Sequence, residues 1–154
     1  MKKIILLGLV ILVSTQIYCQ GKAVYSGFPS LVWPKLYNVT YEKVKDEFGE
    51  YDRPIFSTEA KSINGKPVVL PGYMVPFDIG TKGVQFVLTS LPLNACFFCG
   101  VGGPESVVEV NLKTPITYTD KPIEVKGTLR LNDKDPDRMI YILEQSEYLG
   151  VIEY

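Results

Sequence analysis

Cys96 and Cys99 lie in the stretch NACFFCGVGGPES, residues 94–106, and have the spacing in this chain best suited to chemistry. A Cys-x-x-Cys pair can bring two sulfurs to one ion, join them as a disulfide, or present them as a redox dithiol. Gly100 follows directly, with Gly102 and Gly103 just beyond. Glycines at such places admit positive φ and let backbone N–H groups approach a bound atom. A closed zinc site needs four ligands, and this loop offers two thiols. The nearest oxygen candidates are Glu105 and Glu109, which share parity along the strand pattern that follows; Asp78 is a further one. A two-thiolate site also suits copper(I), which accepts soft ligands. A second copy of the chain, in a homodimer, would bring another pair of cysteines.

The redox reading has the least support. Thiol oxidoreductases set the pair at a helix N-terminus, whose dipole lowers a thiol pKa. Here Gly-Val-Gly-Gly-Pro and then a strand pattern follow. A structural disulfide at Cys96 and Cys99 is the plainer alternative to a metal. It closes so small a ring that it stabilises little through chain entropy, though it stiffens the loop.

The chain has no histidine. That removes Ser-His-Asp and Cys-His catalysis, histidine metal ligation and c-type haem attachment. No paired carboxylates mark a hydrolytic site, and GVGGPES lacks the Lys-Ser/Thr of a phosphate-binding loop. With 16 basic and 17 acidic residues and no basic stripe, nucleic acid is not an expected partner. The expectation is a non-enzymatic protein.

At the start, Lys2 and Lys3 precede the apolar run IILLGLVILV, and STQIYCQGK follows. This reads as a secretory signal over residues 1–19, cleaved before Gln20. Its apolar run is short for a bilayer span, so no span is expected in the mature chain. Lipidation of Cys19 is the lesser alternative, because Tyr18 is not the small residue a lipobox wants. An exported, periplasmic protein is expected. That compartment is oxidising, which favours a disulfide unless a metal or reductant intervenes.

The rest of the 154-residue chain divides by pattern. Residues 20–65 are irregular, rich in Pro, Gly and single aromatics. Tyr41, Val44 and Phe48 recur at helical spacing behind Thr40, which predicts a short helix over about 40–47. Trp33, Leu36 and Phe56 are expected to pack back onto the main sheet. From residue 66 the period becomes two. KPVVLPGYMVPFD reads as a long strand bent at Gly72. VQFVLTSL turns Val84, Phe86 and Leu88 to one face. SVVEVNL does so with Val108, Val110 and Leu112, and PIEVKGTLRLN with Ile123, Val125, Leu129 and Leu131. RMIYILEQSEYLG supplies a fifth strand. Tyr73, Phe77, Phe97 and Phe98 are expected to pack in the core and loops. Five strands, the first long and bent, predict a mainly β domain over 66–154, a small partly open OB-like barrel. A β-sandwich is the rival.

Three segments also carry a family resemblance: NGKPVVLPGYMVPFD at 64–78, QFVLTSLPLNACFFC at 85–99, and the loop leading into SVVEVNL. With Gly72, the Val75-Pro76 step and the Ala95-Cys96 step, the chain resembles an uncharacterised family of exported bacterial proteins of OB-like fold. Its members are often encoded beside ABC-transporter permeases and metal-homeostasis genes. The resemblance covers about residues 31–115 and is weaker beyond. It implies export, the barrel, and an envelope or ABC-transporter-associated partner. In many relatives a histidine closely follows the cysteine; Cys99 stands in that role here, an exchange that metal ligands tolerate. The resulting expectation is binding or handling of zinc or copper(I) through Cys96 and Cys99, with Glu105 and Glu109 as candidate ligands. The alternative is an interaction module stapled at the same loop.

Overall fold

The computed structural model describes residues 27–47, 49–77 and 82–153. The expected signal segment, Cys19, Phe48 and Asp78 lie outside the described residues. In chain order the elements are α1 (Trp33–Leu36), β1 (Val39–Asp46), β2 (Gly49–Phe56), α2 (Thr58–Ser62), β3 (Pro67–Pro76), β4 (Lys82–Thr89), β5 (Val107–Thr117), β6 (Ile123–Leu131) and β7 (Tyr141–Val151). β1 and β2 form a separate two-stranded ribbon. The other five strands close into a barrel of order β3-β4-β5-β7-β6. Every neighbouring pair in it is antiparallel except β5 with β7, which is parallel. The fold is mainly β and is a small OB-like barrel.

The expectation of a partly open barrel is corrected to a closed one, and β3 is the reason. Residues 67–72 of β3 pair with β6, ending at Gly72 opposite Ile123. Residues 73–76 then pair with β4, starting at Tyr73 opposite Thr89. One long strand thus serves two neighbours in succession, and the change of partner falls at Gly72. There the chain passes so close to β4 that a Cβ would lie 2.5 Å from the Thr89 carbonyl oxygen. Glycine alone lacks that atom.

The predicted helix over 40–47 is a strand instead. β1 pairs with β2 so that Lys43 faces Asp52 and Glu42 faces Arg53. Both facing pairs are ion pairs, Lys43 Nζ–Asp52 Oδ1 at 3.1 Å and Arg53 with Glu42. Exposed pairs of this kind contribute about 0–1 kcal/mol each, so they select register more than they stabilise. The helical spacing of Tyr41 and Val44 competes with partners across the ribbon, which no local window of a few residues contains. Pro54 sits in β2, which pairs only with β1 among the described residues, and a strand at a sheet edge tolerates a missing N–H.

Inward positions of β5 and β6 follow the expected alternation. Val108, Val110, Leu112, Ile123, Val125 and Leu129 all belong to one buried cluster. β4 departs from it: Phe86 and Leu88 are buried as expected, but Val84 is exposed, and Val87 and Thr89 are buried as well. Trp33, Leu36 and Phe56 join the same cluster, so the segment before the barrel completes its core. Trp33 is fully buried and its indole N–H donates to the Pro71 carbonyl at 2.7 Å. Tyr141, also buried, donates its hydroxyl to the Leu36 carbonyl at 2.6 Å. These two bonds pin α1 to the barrel from both sides. Among the described residues, no helix is long and apolar enough to cross a membrane.

Candidate metal centre

The cysteines lie in the connection from β4 to β5, which folds as three single 3-10 turns: Leu93–Ala95, Phe97–Cys99 and Pro104–Ser106. Its two ends are stapled together. Ser90 N–H donates to the Ser106 carbonyl at 2.9 Å, and Ser90 Oγ to the same oxygen at 3.2 Å. Phe28 N–H donates to the Ser90 carbonyl at 2.7 Å, tying the segment before α1 to the same place. The loop therefore hangs from a fixed base, as functional loops on rigid sheets do.

Within it, Cys96 caps the second turn, and Cys99 N–H donates to the Cys96 carbonyl at 3.0 Å. Gly100 ends the turn in the left-handed region, φ 79°, where a side chain would be strained. This one-turn geometry sets the sulfurs 3.7 Å apart, both as free thiols. Cys96 is buried and Cys99 exposed. The Cys99 thiol donates to the Leu93 carbonyl at 2.9 Å. The hydrogen bond with Cys96 does most to hold the Cys99 thiol above its ordinary pKa; desolvation and the charge on Cys96 add to it, and a backbone hydrogen bond from Cys96 works against it. The sequence predicts that the glycine frees N–H groups for sulfur. Instead Gly100 N–H is used by the Phe97 carbonyl.

The carboxylates stand elsewhere. Among the described residues, no group of three or more cysteine, aspartate or glutamate side chains lies close enough to hold one ion. The structure thus brings Cys96 and Cys99 together and leaves Glu105 and Glu109 apart from them. Glu105, in the third turn, lies within electrostatic reach of Tyr37 and Tyr41. Desolvation first, and Glu105's charge second, raise the pKa of both Tyr37 and Tyr41, the latter to about 12. Glu109 projects from β5 to the guanidinium of Arg138, with bonds of 2.5 to 3.3 Å. Sequence parity places both acids on one strand, but Glu105 precedes the strand and belongs to a turn. The donor that sequence reasoning missed is the Leu93 backbone carbonyl, for which no residue type gives a signal.

Desolvation works to raise the Glu109 carboxyl, but hydrogen bonds from Arg138 and Asn111 outweigh it and leave its pKa below the ordinary value. A carboxyl lowered in the fold stabilises above the ordinary carboxylate range and loses that contribution as pH falls through its folded pKa. Arg138→Met is expected to be less stable than wild type by about 1 kcal/mol at pH 7. The difference should shrink in urea melts run near pH 3. A difference that is the same at both pH values would show that the pair is not its source.

Two aromatics expected to pack are instead open. Phe98 is 52% and Phe77 65% exposed. Clefts occur away from the thiols: one lies between β2 and the 132–140 loop, lined in part by Tyr51, Asp135 and Arg138. Another is lined by Gln85, Asn111, Lys113 and Gln145, the last with φ 51°. Comparison of the chain with protein-family models, curated proteins and solved structures found no match.

Proposed function

We propose that this chain is an exported, non-enzymatic protein that binds and hands on a transition metal, zinc or copper(I), through Cys96 and Cys99. The observation that carries the reading is the 3.7 Å separation of the sulfurs. Zinc–sulfur bonds of about 2.3 Å at a tetrahedral angle span about 3.8 Å between sulfurs. The pair is thus spaced to share an ion with little rearrangement. The Leu93 carbonyl, 2.9 Å from Cys99 Sγ, offers a weak third donor. The exposed side of Cys99 leaves the remaining coordination positions open to further ligands. Thiol-disulfide enzymes set their pair at the N-terminus of a helix whose dipole lowers a thiol pKa, and here only a single 3-10 turn ending at Gly100 follows Cys96. The family resemblance supports an envelope setting and an ABC-transporter-associated partner.

The second reading is an interaction module with a disulfide at the same loop. Sulfurs in contact need only close to about 2.05 Å to form one, and an oxidising compartment would favour it.

Elemental analysis with thiol counting on anaerobically purified protein decides between them. Wild type is expected to hold metal near one per chain or one per dimer, and Cys96→Ser/Cys99→Ser to hold none. Affinity should rise with pH, since both thiols must lose protons to bind, and Cys99 gives up its proton only above the ordinary range. No metal in wild type, with both sulfurs oxidised, would overturn the metal reading and leave the loop a staple.

A further inference from the structure

Cys99 does not sit alone at the surface of its loop. Phe98 beside it is 52% exposed and Val101 two residues on is 70% exposed. Leu31, 89% exposed, lies between Phe28, which is tied to the base of this loop at Ser90, and α1, which packs against the Pro104–Ser106 turn. Large apolar side chains held out to water beside an exposed thiol, as Phe98 and Val101 are, mark a contact surface more than a packing accident. The loop from residue 90 to 106 also carries a single charged residue, Glu105. That matters for the choice of partner. Across a twofold axis each patch meets its own copy, so every charge on it tends to face a like charge. A nearly uncharged apolar patch is the kind that tolerates self-association.

The coordination arithmetic points the same way. One chain supplies two thiols and a neutral carbonyl, and no cysteine, aspartate or glutamate joins them among the described residues. A thiophilic ion prefers sulfur to a carbonyl oxygen, and a closed zinc site takes four ligands, with an all-cysteine set among the common ones. A second copy brings the two sulfurs that are lacking. We infer that the partner at this loop is a second copy of this chain: two loops meet through Phe98 and Val101, and Cys96 and Cys99 of each copy together hold one zinc ion. Each thiol gives up its proton to solvent as it binds, so four protons leave and no oxidant or reductant is needed. Cys96 is buried, so sharing the ion requires its side chain to turn outward. This inference rests on the metal reading above and names the partner that completes the site.

The test is sedimentation of the anaerobic full-length chain, with and without added zinc, together with metal content per chain. The cobalt(II) form is followed in parallel, because sulfur-to-cobalt charge-transfer and ligand-field bands report the number of thiolates. The expected result is half an equivalent of metal per chain, a tetrathiolate cobalt spectrum, and a dimer that a chelator returns to monomer. Cys96→Ser/Cys99→Ser should stay monomeric at every zinc concentration. Phe98→Ser/Val101→Ser keeps the thiols and should weaken zinc-dependent dimerisation about tenfold or more. One metal per monomer would overturn the shared site while sustaining the metal reading. No bound metal at all would overturn both. A dimer that forms equally without zinc or without the cysteines would overturn the shared site alone.

Discussion

Replacing Trp33 by alanine is expected to lower the stability of the whole chain by about 3–5 kcal/mol. Trp33 is the only tryptophan and is fully buried in the barrel's own cluster, with Leu36, Phe56 and Tyr141. Truncation leaves a large void at the place where the segment before the barrel meets it. It also removes the indole bond to the Pro71 carbonyl, a buried contact between groups 38 residues apart. Urea unfolding followed by far-ultraviolet circular dichroism reads the effect without needing the lost fluorophore. With a denaturant slope of about 2 kcal/mol/M, the midpoint should fall by about 2 M. Trp33→Phe keeps most of the filling and loses only the hydrogen bond, so its loss should be clearly smaller. A drop below about 1 kcal/mol for the alanine variant would mean that α1 is not part of the cooperative core.

Gly72→Ala should be nearly as damaging, about 2–3 kcal/mol, for the opposite reason: it adds an atom where none fits. The new Cβ would stand 2.5 Å from the Thr89 carbonyl oxygen and 3.0 Å from Leu88 Cγ. Leu88 can shift its side chain. The Thr89 carbonyl cannot move freely, because Thr89 is paired with Tyr73 on one side and Val107 on the other. Relief must come from parting β3 and β4 at the point where β3 changes partner. Gly83→Ala is the control. Its Cβ would meet nothing nearer than the Gln85 carbonyl oxygen at 3.6 Å, and its effect should stay within about 0.5 kcal/mol. Equal losses in the two variants would show that the crowding at Gly72 is relieved at no cost.

Both results bear on the cysteine loop. Thr89 and Val107, paired across β4 and β5, are the barrel residues from which that loop departs. Trp33 and Gly72 act on the frame just beneath it. Neither variant removes a thiol, so any change in metal retention in a still-folded variant would report on the frame and not on the ligands.

The β pattern of this protein is a local property. Val108, Val110 and Leu112 in β5, and Ile123, Val125 and Leu129 in β6, alternate with polar residues because successive side chains of a strand point to opposite faces. A strand's period is visible wherever one face is buried and the other wet. Gly72 stands out in the sequence as an exceptional position in a long strand, and it is where β3 changes partner; the closeness of Cys96 to Cys99 follows from their spacing. The histidine-free composition bounded the chemistry before any fold was known. Other features depend on residues far apart in the chain. β1 over the predicted helix depends on Asp52 and Arg53 across the ribbon. Closure of the barrel depends on β3 being shared between β4 and β6. Glu109 turns to Arg138, 29 residues on, and the Leu93 carbonyl reaches Cys99 through a backbone turn that side-chain identity does not announce. Periodicity and spacing are set by bonds along the chain, so the sequence determined them by itself. Which carboxylate meets which cation, and which carbonyl meets a sulfur, is decided by distances that exist only once the barrel has closed.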